Sequence, residues 1–274
     1  MRRALLVILV FIGLISTSFA QTSYKFGVVP QFEPRKLSDT WTPIIAELEK
    51  RTGFHLEMVG SARIPEFEQE FTQGNYDFAY MNPYHALVAQ RAQNYVPLVR
   101  DGGQDLFGVL VVAKDGPIKQ LADLEGQTVS FPAPNALGAS LLMRADLDRV
   151  LKIKIKPMWA QTHTSAYLNV ALGRAAAAGG VMGTFKEVSE NIRNNLKIIY
   201  ETRHMPPHPV MAHPRIPIAD QEKMRQAFLD LGSTPEGAAL LAKVPIKKII
   251  AAKAEDYALI ADWGLENYYV KETE

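Results

Sequence analysis

The chain has 274 residues, with 30 basic against 29 acidic side chains and no cysteine. The near balance of charge excludes a basic nucleic-acid stripe. The missing cysteines exclude disulfides, zinc–thiolate sites and a catalytic thiol. With 47% hydrophobic and 9% aromatic residues, the chain is long enough to bury a core as one or two domains.

Residues 1–20 read as a secretory signal peptide. Arg2 and Arg3 are basic, Ala4 to Ile15 is a short apolar run, and Ser18-Phe19-Ala20 is a cleavage site. Cleavage after Ala20 places the rest of the chain in an exported compartment. No later stretch is long and apolar enough to span a bilayer.

"YKFGVV" (24–29) predicts a buried strand. A helix follows, capped at Asp39 or Thr40 with Pro43 in its first turn. Trp41, Ile44, Ile45 and Leu48 share one apolar face, and Gly53 ends the helix. "FHLEMV", "YDFAYM", "YVPLV" and "LFGVLVVA" predict further strands. "IPEFEQEFTQG" and "PYHALVAQRAQ" predict helices between them, Pro83 opening the second. A second round starts at "QTVSF", with a helix over 137–151, a strand in "IKIKPMWAQ" and a helix in "SAYLNVALG". It continues with a strand in "AAAGGVM", a helix in "TFKEVSENIRNN" and a strand in "LKIIYE". "PPHPVMAHP" reads as an extended crossing, and helices fill most of the remainder.

This alternation predicts an α/β fold of two lobes, each a mostly parallel sheet flanked by helices. Lobe 1 takes residues 21–108 and 211–274, and lobe 2 takes 109–210. Two hinge crossings join them, near 107–113 and 205–212. Ligands in such sheets bind beyond the carboxyl ends of strands.

Several residues are placed to meet a ligand there. "FPAPNALGAS" (131–140) runs from a strand into a helix start, where backbone N–H groups of Asn135, Ala136, Leu137, Gly138 and Ser140 can face an anion. His163 and Thr164 stand just before the next helix, and the imidazole can donate to an oxyanion. Tyr80, Asn82 and Tyr84 follow the third strand. Arg63 can supply charge. Gln31 follows the first strand, and Phe107 lies at the crossing. Each has a plainer reading as a cap, a core residue or a solvated charge. His204, His208 and His213 lie among prolines that prevent a shared helical face, so no metal site is expected. No G-x-S-x-G elbow or phosphate-cradling lysine loop is present.

"FGVVP", "WTPIIAELEKRTG", "NYDFAYMNPYHALVA", "LVVAKDGPIKQLADLEGQTVSFPAPNALGASLL" and "HTSAYLNVALGRAAAAGGV" occur in that order. Together they resemble the phosphate/phosphite/phosphonate-binding periplasmic proteins of ABC importers. The resemblance implies a type II two-lobed binding protein that closes on an oxyanion. It implies a Ser-Thr-Ser run at a helix start, where this chain has Ala136, Leu137 and Gly138. It implies two tyrosines, where this chain has Ile64 and Leu106, and a histidine, matched by His163. The ammonium-holding acidic residues of aminophosphonate binders have no evident counterpart in "AAAAGGVM"; with the hydroxyl trio and both tyrosines replaced, 2-aminoethylphosphonate is expected to bind weakly or not at all.

The expected function is a periplasmic solute-binding protein for a small oxyanion, without a cofactor. Its expected partners are an anionic or polar ligand and an ABC permease or sensor protein at the inner membrane; no nucleic acid is expected, and the chain is expected to act as a monomer. The alternatives are a sensory binding protein presenting its ligand, phosphonate or not, to a kinase or chemoreceptor, and an exported hydrolase. The hydrolase lacks a convincing carboxylate pair, metal cluster or activated serine.

Overall fold

Two sheets divide the strands between them. The structure, a computed structural model, describes residues 21–271; the expected signal peptide lies outside the described residues.

The first half alternates as β1 (Ser23–Val28), α1 (Pro34–Thr52), β2 (His55–Gly60), α2 (Ile64–Thr72), β3 (Phe78–Tyr80), α3 (Pro83–Gln93) and β4 (Val96–Asp101). β1 pairs parallel with β2 and β3, because each helical crossover returns the chain in the same direction. α1 starts six residues earlier than the Asp39 cap implies, at Pro34, where proline's missing N–H is harmless. Pro43 lies inside that helix and not in its first turn. It leaves the Asp39 carbonyl without its usual partner, but Asp39 is exposed and water can take that role.

The second half contains β5 (Gly108–Ala113), β6 (Thr128–Phe131), a long helix α4, β7 (Lys156–Trp159), α5 (His163–Ala171), β8 (Ala177–Val181) and β9 (Leu196–Glu201). α4 comprises Leu137–Leu141, Leu142–Ala145 and Asp146–Val150, with π-wound ends. The helix expected over 184–195 is two short ones, α6 (Met182–Glu187) and α7 (Glu190–Arg193), broken at Val188, whose ψ of 147° is extended.

The C-terminal part adds β10 (Val210–Ala212), α8 (Ile218–Gly232), α9 (Pro235–Leu241), β11 (Ile249–Ala251) and α10 (Glu255–Ala261). β11 is a strand that the sequence pattern did not indicate, because three residues are too few to show a period. The last helix ends at Ala261.

The first sheet has the order β11-β4-β10-β3-β1-β2 and the second β7-β6-β8-β5-β9. In the first sheet β10 runs against β3 and β4, and β11 against β4; in the second β5 runs against β8 and β9. β10 and β5 are the strands that enter their sheets after a crossing. The chain leaves the first sheet at Asp101 and enters the second at Gly108; it leaves the second at Glu201 and returns at Val210. β5 and β10 thus occupy parts of the stretches expected as crossings. The crossings pair with each other: Leu106 and Met205 exchange N–H···O bonds of 2.9 Å each.

Burial follows from the sheets being covered on both faces. On β5, Val109 and Val111 pack with Tyr167 and Val170, while Leu110 and Val112 pack with Phe131, Met143 and Leu147. The first lobe packs Phe26, Trp41, Phe67, Phe78 and Phe228. A further cluster joins the lobes, with Tyr84 and Leu87 of α3, Leu137 and Leu141 of α4, and Tyr257, Ile260 and Leu265 of the C-terminal segment.

Candidate functional site

The start of α4 is pressed onto the second sheet by missing side chains. A Cβ at Gly108 would lie 2.0 Å from the carbonyl oxygen of Gly138, and one at Gly179 would lie 2.0 Å from that of Ala139. The carbonyl of Ala136 accepts from both Ser140 (2.8 Å) and Leu141 (3.1 Å). The N–H groups of Leu137, Gly138 and Ala139 precede the first helical bonds and carry the positive end of the helix dipole.

Ala136 to Ala139 line a narrow cleft with Gln31, Ile64, Asn82, Leu106, His163 and His208. Its volume is about 10 Å³, close to the minimum for one water. The lobes meet here through polar contacts. Asn82 caps α3, accepting from His85 N–H at 2.8 Å, and its side-chain amide donates to the Asn135 carbonyl at 3.3 Å. The His163 N–H reaches the Gln31 carbonyl at 3.5 Å. Asn135 donates to Glu68 Oε2 at 2.8 Å.

Two histidines sit in this region without charge. His163 opens α5 behind the Thr162 cap, and its Nδ1 lies 3.0 Å from Thr184 Oγ1. Burial pushes its pKa down to about 3. His208 stacks on Tyr80, with centroids 5.3 Å apart and planes at 21°. Its Nε2 lies 3.1 Å from the Gln31 amide nitrogen. It too is pushed down to about 3, first by burial and then by His85 and His163.

The cleft adjoins a larger chamber of about 540 Å³. Gln31, Leu106 and His208 line both spaces. Tyr80, Trp41 and Phe107 face the chamber, the last stacked on His204 at 4.3 Å. Among the described residues no arginine lines either space.

The other expected residues lie elsewhere. Tyr84 packs against Tyr269, 5.5 Å between centroids, in the cluster that joins the lobes. Ser140 is fully buried and accepts from Arg144 Nε at 3.3 Å. Asn135 is turned toward Glu68 and the backbone of Val270. Thr164 lines neither space. Arg63 is exposed, pairs with Glu66 at 2.6 Å, and also lines neither. His204, His208 and His213 are separated onto Phe107, Tyr80 and Tyr95. The sequence reading missed Asp101, Glu68 and the cleft role of His208. For Asp101 the available signal was its place at the carboxyl end of a strand, just before Gly102-Gly103.

Two α/β lobes, paired crossings and a cleft lined from both sides define a two-lobed binding protein of type II. The family model described as "ABC transporter, phosphonate, periplasmic substrate-binding protein" matches residues 26–257. The chain belongs to that family, which is one of transport proteins and not of enzymes. It is 22% identical over 253 residues to the phosphonates-binding periplasmic protein of Escherichia coli (strain K12), covering 84% of this chain and 73% of that one. Its fold matches a binding protein component of an ABC phosphonate transporter from Pseudomonas aeruginosa, with TM-score 0.81, 17% identity, and 89% and 86% of the two chains covered. It also matches PhnD1 from Prochlorococcus marinus in complex with methylphosphonate, with TM-score 0.80, 15% identity, and 89% and 97% covered. Among the described residues no helix is long and apolar enough to cross a membrane.

Proposed function

We propose that the chain is the periplasmic receptor of an ABC importer, exported by residues 1–20, which captures a small oxyanion between its lobes and delivers it to a membrane permease. In this reading lobe 1 comprises 21–101 and the segment from 210 onward, and lobe 2 comprises 108–201. The observation that carries it is the start of α4. Three N–H groups without intrahelical acceptors line a cleft that the other lobe closes with Gln31 and Asn82. Such a helix start attracts an anion through its dipole and its free donors.

The relatives are named for phosphonate binding, and that supports the same class of ligand here. The site differs from a hydroxyl-lined one. Ala136, Leu137 and Gly138 offer backbone donors only, and a neutral His163 adds at most one donor. Each side-chain hydroxyl bond forgone is worth roughly 0.5–1.5 kcal/mol. The reading therefore expects a ligand held by N–H groups and shape. The test is a thermal-shift and calorimetric panel of phosphate, phosphite, methylphosphonate and sulfate. A ligand at 100 times its Kd adds about 2.7 kcal/mol of stability. A panel in which no oxyanion raises the melting temperature would overturn the oxyanion reading.

A further inference from the structure

Three buried side chains of the second lobe meet behind the cleft. His163 and Tyr167 lie one turn apart on the same face of α5, and Thr184 reaches them from α6. Thr184 Oγ1 is 3.0 Å from His163 Nδ1, 2.9 Å from the Tyr167 hydroxyl and 3.0 Å from the Val181 carbonyl. The phenol fits because residue 180 is glycine: a Cβ there would lie 1.8 Å from its oxygen. Among the described residues, the unbonded side-chain atoms sealed from solvent are His85 Nδ1 and Asp101 Oδ2. His163 Nε2 is unbonded without being sealed in, and the ring lines the cleft beside Ala136 to Ala139.

A neutral imidazole carries one proton, and the bond made at one nitrogen decides which of the two has it. Thr184 has two ways to bond here. It can donate to the Val181 carbonyl and accept from His163 Nδ1, which leaves a bare lone pair on Nε2. It can instead accept from Tyr167 and donate to Nδ1, which leaves the proton on Nε2. Val181 is the N-cap of α6, and the carbonyl of a cap already takes the first bond of its helix. The Tyr167 hydroxyl is closer to Thr184 than to that carbonyl, 2.9 against 3.3 Å. Burial raises its pKa, so it keeps a proton to give. The second arrangement also turns a donor, and not a lone pair, toward a helix start that favours anions.

We propose that Thr184 is a positioning residue for anion capture: it accepts from Tyr167, donates to His163 Nδ1, and so keeps the imidazole proton on Nε2, turned into the cleft. The proposal rests on the reading of the cleft as an oxyanion site, and it names what makes the histidine a donor there. A network that only ties α5 to α6 is the competing account.

Long-range proton–nitrogen NMR on the unliganded mature chain at pH 7 reads the tautomer, with the His163 ring identified by its loss in His163→Gln. The wild type is expected to carry the proton on Nε2. Thr184→Val keeps the side-chain shape without the hydroxyl. It is expected to let the ring populate both tautomers and to weaken methylphosphonate about fivefold, the worth of one hydrogen bond. Thr184→Ser keeps the hydroxyl and is expected to restore both readouts. A proton on Nδ1 in the wild type, an unchanged tautomer in Thr184→Val, an affinity for methylphosphonate undiminished there, or no rescue by serine would each overturn the proposal. If Thr184→Val does not fold, the wild-type tautomer decides alone. Failure of methylphosphonate to bind the wild type counts against the oxyanion reading, and the tautomer, measured without ligand, still decides the proposal.

Discussion

Asn135 of the second lobe donates to Glu68 of the first at 2.8 Å, and this bond is buried. The same amide donates to the Val270 carbonyl at 2.7 Å, and its oxygen accepts from the Val270 N–H at 2.9 Å. Glu68 also holds His85 at 2.8 Å. One side chain therefore ties both lobes and the C-terminal segment together.

Asn135→Ala removes three bonds and takes a donor from a buried carboxylate. The expected loss of stability is about 1–3 kcal/mol, read from the urea midpoint. A larger radius of gyration for the unliganded variant in X-ray scattering is the second expected outcome. An unchanged midpoint would show that the tie contributes nothing.

The buried histidines set a pH dependence. His163 and His208 have folded-state values near 3, against about 6.5 in an unfolded chain. The unfolded state therefore binds more protons between these values, and the stability is fully present above about pH 6.5. It falls as pH drops toward 3, by about 1.4 kcal/mol per pH unit for each histidine. Urea melts at pH 7, 6, 5 and 4 check this, and His163→Gln is expected to flatten the slope. A flat wild-type profile would mean that these rings are not held neutral by burial.

Gly108→Ala is expected to be severe. The new methyl would meet the Gly138 backbone at 2.0 Å, and backbone cannot rotate aside as a side chain can. A destabilisation of at least about 3 kcal/mol is expected, beyond ordinary overpacking. A melting temperature within a degree of wild type would contradict the packing of α4 on β5.

Arg63→Ala is expected to leave ligand affinity within twofold, because Arg63 lines neither the cleft nor the chamber. Its exposed pairing with Glu66 belongs to a class worth at most about 1 kcal/mol. Titration of the tightest oxyanion from the panel checks it. A tenfold loss would restore Arg63 to the site.

The sequence by itself determined the local elements and their class. α3 runs from Pro83 to Gln93 and β9 from Leu196 to Glu201, the spans that proline placement and apolar pattern mark, because those signals lie within a few residues of what they control. The helix start at 137 was readable for the same reason. Tertiary structure decided the rest. β10 is inserted between β3 and β4 by strands more than a hundred residues away in the chain, and no local period records that. Tyr80 ends β3 and Tyr84 lies four residues further on, yet one faces the chamber and the other packs on Tyr269. Their surroundings come from Trp41, His208 and the C-terminal segment. Asp101 looks like any aspartate before a turn, and only folding closes a wall over its second oxygen. Burial and partnership are sums over distant segments, so the sequence could propose the site's residues but not which of them would meet.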